Sequence, residues 1–211
     1  MDKHERINNF PLMSPMDVTP AHTAVCFFAL ECALRGNPSL PASIPWFEAH
    51  AGASSPFFVT WTKAQRLRGC IGTLSSLPHS DLARYGLKSA FEDRRFDPIQ
   101  ENELPELVVA VSVLHSYEPA ARWDAWDVGI HGIVIELVVD KQRWSATFLP
   151  EVASEQGWTQ RQTLESLLRK AGFPSVCDDT LLIQVAVTRY RSAKRKMSYA
   201  DYKHFLDQAH P

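Results

Sequence analysis

A thiol stands between two glycines in Leu67-Arg68-Gly69-Cys70-Ile71-Gly72-Thr73, two residues from an arginine. The thiolate is the nucleophilic form of cysteine, and a neighbouring guanidinium favours it. In a strand, successive side chains point to opposite faces. Arg68, Cys70 and Gly72 then share one face, and Leu67, Gly69 and Ile71 the other. The apolar set is expected on a core, and the opposite set presents the thiol beside the guanidinium. Gly69 and Gly72 leave room for a backbone or a ligand to approach closely. The competing reading makes Cys70 a small buried hydrophobe and the glycines the mark of a bulge.

Other residues could complete a site. His131, between Gly129 and Gly132, is a candidate base if the glycines turn it toward a cleft. In a regular strand it instead shares a face with Ile133, Ile135 and Leu137 and is a satisfied core histidine. Glu151 follows Leu149-Pro150 at a strand end and is a second candidate base. Its alternative is a loop acid or a partner for a helix N-terminus. Ser89 and Asp93 are four apart on one expected helix, and Arg95 follows; these three are candidate pocket residues with Arg68, Gly69 and Gly72, and the alternative for Asp93, Arg94 and Arg95 is surface charge at a helix end. Arg189, Arg191, Lys194, Arg195 and Lys196 form the one concentrated basic run. It is either a weak nucleic-acid or nuclear-import signal or a solvated strand-to-helix connection, and the acidic overall balance favours the second. The spacing of histidine and cysteine offers no metal-ligand cluster, and no cofactor-binding motif is visible.

These groups need elements to hold them. Thr19-Pro20 starts a helix with the stripe Val25, Phe28, Ala29, Cys32 and Ala33, ended by Gly36. Residues 37–55 read as a loop. Phe57–Trp61 and Leu67–Thr73 read as strands joined by a polar turn at Lys63–Arg66. Ser80–Arg94 reads as a helix with core residues Ala83, Leu87, Ala90 and Phe91. Leu107–His115 is apolar on both faces and reads as a central strand. Ile130–Val139 and Arg143–Leu149 flank a hairpin turn at Asp140-Lys141-Gln142. Thr159 and Gln162 have capping-box spacing and open a helix closed by Gly172. Leu181–Arg189 reads as the last strand and Ser198–Gln208 as the last helix. Strands with no regular βαβ rhythm point to an α+β fold, a mainly antiparallel sheet flanked by helices.

Length and composition bound the rest. The chain has 211 residues, enough for one domain over 19–208 with room for two lobes, preceded by a polar tail at 1–18. A net charge of −2 gives no global pull toward nucleic acid or an anionic membrane. Cysteines 26, 32, 70 and 177 form no CxxC pair, which fits reduced thiols in a cytoplasmic or nuclear setting. No apolar run has membrane-spanning length, and the N-terminus lacks the apolar stretch of a signal peptide.

Arg68 to Thr73 resembles the signature hexapeptide of the AMMECR-one domain family, named from a human chromosomal region linked to Alport syndrome, midface hypoplasia and elliptocytosis. Further blocks resemble the family in the same order, over about residues 19–206. They are Pro56–Trp61, Leu87–Phe96 (LKSAFEDRRF), Glu103-Leu104-Pro105, Val128–Ile133, Leu149–Trp158, Leu167–Gly172 and Thr188–Ser192. The resemblance implies a pocket around the signature. It also implies association with a Memo-like protein or a radical S-adenosylmethionine protein, since prokaryotic relatives occur fused to or encoded beside such domains. It implies no particular reaction. Two classes of function follow. One is an enzyme or enzyme component with Cys70 as nucleophile or substrate anchor, His131 or Glu151 as base, and Arg68 holding an anionic group. The other is a non-catalytic module that binds a protein or a nucleic acid.

Overall fold

The computed structural model describes residues 17–37, 44–174 and 177–209. The expected tail at 1–18 lies almost wholly outside the described residues, as does part of the expected loop at 37–55. Helices are α1 (Pro20–Leu34), α2 (Glu48–Ala51), α3 (Leu82–Phe91), α4 (Pro150–Glu155), α5 (Gln160–Lys170), α6 (Asp179–Leu182) and α7 (Tyr199–Ala209). Strands are β1 (Ser54–Lys63), β2 (Arg66–Pro78), β3 (Leu107–Pro119), β4 (Gly132–Val139), β5 (Gln142–Phe148) and β6 (Ala186–Ser198). They form a six-stranded antiparallel sheet in the order β2-β1-β3-β6-β4-β5, flanked by helices. The fold is α+β. It divides into two compact units, residues up to Ser112 together with those from Lys194, and Val113–Ala193.

In the first unit, β1 and β2 make a hairpin whose turn residues Ala64 and Gln65 both have positive φ (47° and 64°). That is the backbone of a two-residue turn matching the twist of its strands, here built without glycine. Phe57, Val59 and Trp61 of β1 alternate inward and are fully buried. The Phe27 ring of α1 packs edge-on against Trp61 at 4.9 Å and stacks on Tyr202 of α7 at 5.3 Å. The Trp61 indole N–H donates to the Gly86 carbonyl at 2.9 Å, so this large side chain is buried with its polar atom satisfied. The stripe expected for α1 is too narrow. Ala21–Phe27 is buried all round, while Phe28, Cys32 and Ala33 are only half-buried. A helix covered by α3 and α7 has no purely solvent face, so its periodicity underreports its burial.

The same unit carries a hydrogen-bonded chain of buried side chains. The Thr19 N–H donates to His22 Nδ1 at 3.0 Å. His22 Nε2 meets His79 Nδ1 at 3.0 Å, and His79 Nε2 meets Ser55 Oγ at 2.8 Å. The backbone donor fixes the tautomers: His22 and then His79 each carry the proton on Nε2. The His50 ring centroid lies 5.1 Å from that of His22. Burial first, then the neighbouring His79 and His50, push His22 down to about 3.

In the second unit, Ile133, Ile135 and Leu137 of β4, Val187 of β6 and Leu164, Leu167 and Leu168 of α5 form the core with Trp126. The capping box at α5 forms as read. The Thr159 N–H donates to Gln162 Oε1 at 2.9 Å, and Thr159 Oγ1 accepts from the Gln162 N–H at 3.3 Å. The β4–β5 turn again places positive φ at two non-glycine residues, Asp140 and Lys141. The strand expected over Leu181–Arg189 is displaced to Ala186–Ser198. Asp178 Oδ1 accepts the Leu181 N–H at 2.8 Å and caps α6, drawing Leu181 and Leu182 into a helical turn.

Candidate functional site

The alternation read from the signature holds across its centre. In β2, Gly69 lies opposite Trp61 and Ile71 opposite Val59, both core residues of β1. Cys70 lies opposite Thr60 and Gly72 opposite Phe58, on the other face. The thiol is half-buried, with its sulfur 3.2 Å from the Thr60 hydroxyl. The pattern breaks at Arg68. Trp61 pairs with Gly69 but Thr62 pairs with Leu67, so Arg68 is the extra residue of a bulge. Leu67, expected on the core face, is 43% exposed as a result.

The expected pairing of Arg68 with the thiol is corrected by its contacts. Its Nε and Nη2 donate to the two carboxylate oxygens of Glu103 at 3.0 and 2.9 Å. Nη1 donates to the Asp97 carbonyl at 2.6 Å and Nη2 to the Pro98 carbonyl at 3.3 Å. This two-pronged geometry suits arginine rather than lysine. The Arg68 guanidinium holds the Glu103 carboxyl down to about 2, with the Gln100 N–H and Lys63 adding to it. Glu103 lies 35 residues from Arg68, and nothing local in the sequence marks it as this partner.

Arg95 is the guanidinium beside Cys70. Asp93 Oδ2 accepts the Cys70 N–H at 2.8 Å, and the Arg95 Nη2 donates to the Cys70 carbonyl at 3.3 Å. Arg95 also grips Asp93 with Nε on Oδ1 at 2.9 Å and Nη2 on Oδ2 at 2.7 Å. Its guanidinium, with the two backbone donors, holds the Asp93 carboxyl down to about 2. β2 is one of the two edge strands, and an edge presents backbone N–H and C=O groups to whatever lies beside it. Here the Asp93–Arg95 pair stands in for a neighbouring strand.

The helix that carries these residues ends earlier than expected, at Phe91 instead of Arg94. Asp93 Oδ1 accepts the Arg95 N–H at 3.2 Å and the Asp93 carbonyl accepts the Phe96 N–H at 3.0 Å. Such local side-chain bonds compete with helical ones and turn the chain out of α3. Ser89 remains in α3, buried, and its backbone oxygen packs where a Cβ on Gly69 would stand. Gly72 is packed as closely against Phe57 and Phe58. Neither glycine has positive φ, so close approach accounts for both. The segment after Asp93 borders a shallow depression of about 460 Å³ lined by Arg68, Arg94, Arg95, Phe96 and Asp97.

His131 and Glu151 belong to the second unit. His131 sits immediately before β4, 8% exposed, and its Nδ1 accepts the Asp127 N–H at 3.0 Å. Burial, then the positive charge of Arg189, lowers its pKa. With Nδ1 accepting, the neutral ring carries its proton on Nε2. Glu151 stands in the first turn of α4, where a carboxylate favours the helix N-terminus. The basic run is part of strand β6 rather than a connection. Arg189 Nη2 donates to Glu118 at 2.9 Å and Nη1 to the Ala125 carbonyl at 3.0 Å, while Arg191, Arg195 and Lys196 are exposed. Among the described residues, no group of three or more His, Cys, Asp and Glu could hold a metal ion. No described helix is long and apolar enough to cross a membrane.

Fold and site together define an α+β protein built on an antiparallel sheet, with a cysteine–glycine signature on an edge strand. The chain belongs to the AMMECR1 family, whose model matches residues 23–195. It is 44% identical over 189 residues to an uncharacterized protein of Arabidopsis thaliana, covering 86% of each chain. It is 34% identical over 187 residues to an uncharacterized protein of Schizosaccharomyces pombe, covering 86% of this chain and 95% of the relative. The crystal structure of an uncharacterized protein from Pyrococcus horikoshii is similar with a TM-score of 0.69 and 25% identity, over 83% of this chain and 89% of that one.

Proposed function

We propose that this protein is a binding module in which the signature strand holds the segment Asp93–Asp97 as a recognition surface. One observation carries the reading: the Cys70 N–H and C=O are engaged by Asp93 and Arg95. The signature then acts through its backbone and its two close-packed glycines, and Cys70 is the residue whose main chain is gripped. Of the candidate bases, His131 accepts a backbone N–H and Glu151 stands in the first turn of α4. The family resemblance suggests a Memo-like protein or a radical S-adenosylmethionine protein as a partner, and this surface is where we place it.

The test places a photo-crosslinking amino acid at Phe96 in the full chain and compares adducts formed in cells. Cys70→Ser keeps both backbone bonds and is expected to keep the adducts. Asp93→Ala removes the acceptor and is expected to lose them while the protein stays folded. Adducts lost in Cys70→Ser but kept in Asp93→Ala would overturn the reading and return the thiol to the centre of the chemistry.

A further inference from the structure

The depression beside the signature is lined by three arginines, two of them held in place by their own partners. Arg68 is fixed from behind by the Glu103 carboxylate and two backbone carbonyls, and Arg95 by Asp93 and the Cys70 carbonyl. Both planar groups are therefore oriented before any ligand arrives, which lowers the ordering cost of binding. Arg95 is bonded through Nε and Nη2, which leaves the two N–H groups of Nη1 for a ligand. Its guanidinium lies 5.4 Å from the centre of the Phe96 ring, which supports it from one side. Arg94 is exposed and makes no ion pair among the described residues, so its whole fork faces solvent. Asp93 and Glu103 offset Arg95 and Arg68, and Asp97 contributes one carboxylate to the lining. The uncompensated donors belong to Arg94 and to Nη1 of Arg95, adjacent in sequence and in the same depression.

We propose that this depression binds a small oxyanion, a phosphate or carboxylate group, held by Arg94 and Arg95 with Arg68 behind them. Arginine forks match the paired oxygens of both groups. The proposal rests on the recognition-surface reading and names the chemistry that the surface takes. Asp93, Glu103 and Asp97 together match the three arginines in charge, so binding rests on the unbonded donors of Arg94 and Arg95 and the affinity for the bare ion is modest. Phosphate and carboxylate share the oxygen geometry, and the experiment separates them.

The full-length protein is titrated with sodium phosphate, and separately with sodium acetate, at constant ionic strength set by chloride. The arginine Nε–H signals are followed by NMR. Phosphate, acetate or both are expected to move the Arg95 signal saturably, and the anion that saturates identifies the group. Arg94→Gln is expected to weaken that binding by about tenfold, the order expected for losing one charge-assisted hydrogen bond. Arg143→Gln, an exposed residue of the second unit, is expected to leave it unchanged. Linear shifts indistinguishable from those with chloride, or equal affinity in Arg94→Gln, would overturn the proposal. Amide exchange measured on the same samples separates the two levels. If no anion saturates while the Cys70 and Arg95 amides stay protected, the oxyanion assignment falls and the recognition surface stands. If those amides exchange freely, the recognition-surface reading falls and takes the oxyanion with it.

Discussion

The buried histidine chain should make the first unit sensitive to acid, with a size that follows from its geometry. In the folded protein His22 Nδ1 accepts the Thr19 N–H, so a second ring proton would set donor against donor. His22 Nε2–H and His79 Nε2–H point the same way along the chain, and protonation of either ring breaks the sequence of donors and acceptors. Burial first, and then the neighbouring His79 and His50, lower the His22 pKa from 6.5 to about 3 on folding. His79 and His50 are also lowered, chiefly by burial. The unfolded chain binds a proton at His22 below pH 6.5 that the folded chain does not. Stability from this residue is complete above that value and falls as pH drops toward about 3, at about 1.4 kcal/mol per pH unit. Between about pH 7 and about pH 5 His22 alone should remove about 2 kcal/mol, equivalent to a melting shift of about 4–8 °C for a chain of this size. The measurement is urea unfolding at several pH values in this window, for wild type and for His22→Gln. The difference between the two curves reports His22 together with its coupling to His79, and the carboxylates are common to both. Wild type should lose stability more steeply as pH falls. Parallel curves would refute the reasoning, whatever the absolute stability of the variant.

Three further outcomes follow from the signature. Gly69→Ala and Gly72→Val should each cost about 1–3 kcal/mol through overpacking, against Ser89 in one case and Phe57 and Phe58 in the other. Cys70→Ala should cost under about 1.5 kcal/mol, the range of one hydrogen bond, so thermal melts that rank it above either glycine variant would contradict the packing account. Under limiting iodoacetamide, Cys26 should label last, because it is fully buried and burial pushes its thiol up. Burial also raises the half-buried Cys32 and Cys177 thiols, so both should label slowly, and strongly preferential labelling of Cys70 by mass spectrometry would favour an activated nucleophile. Asp93→Ala should lower stability by about 1–3 kcal/mol, since it leaves the Cys70 N–H without its charged acceptor. Retained protection of that amide in the variant would show that another group satisfies it.

Local patterns were legible because their physics is local. The alternation along β2 placed Gly69 and Ile71 opposite core residues and put Cys70 on the other face, since strand side chains alternate wherever the strand pairs. Thr19 and Thr159 marked helix starts, and short polar segments marked both hairpin turns. The glycine spacing announced a close approach, although not what approaches. Tertiary structure decided the partners. Arg68 lies 35 residues from Glu103 and Cys70 lies 23 from Asp93. His22 meets His79 across 57 residues. A side chain's residue type states what it can donate or accept, and its neighbours in sequence state which way it points. Which distant group stands there depends on the path of the chain between them. A one-residue bulge at Arg68 turned a guanidinium from the thiol's face to a carboxylate, and an aspartate bonding its own loop ended α3 in time to bring Asp93 and Arg95 onto the edge of β2. Periodicity encodes the elements, whereas register and chain path set which distant side chains meet, and so the site had to be read from the fold.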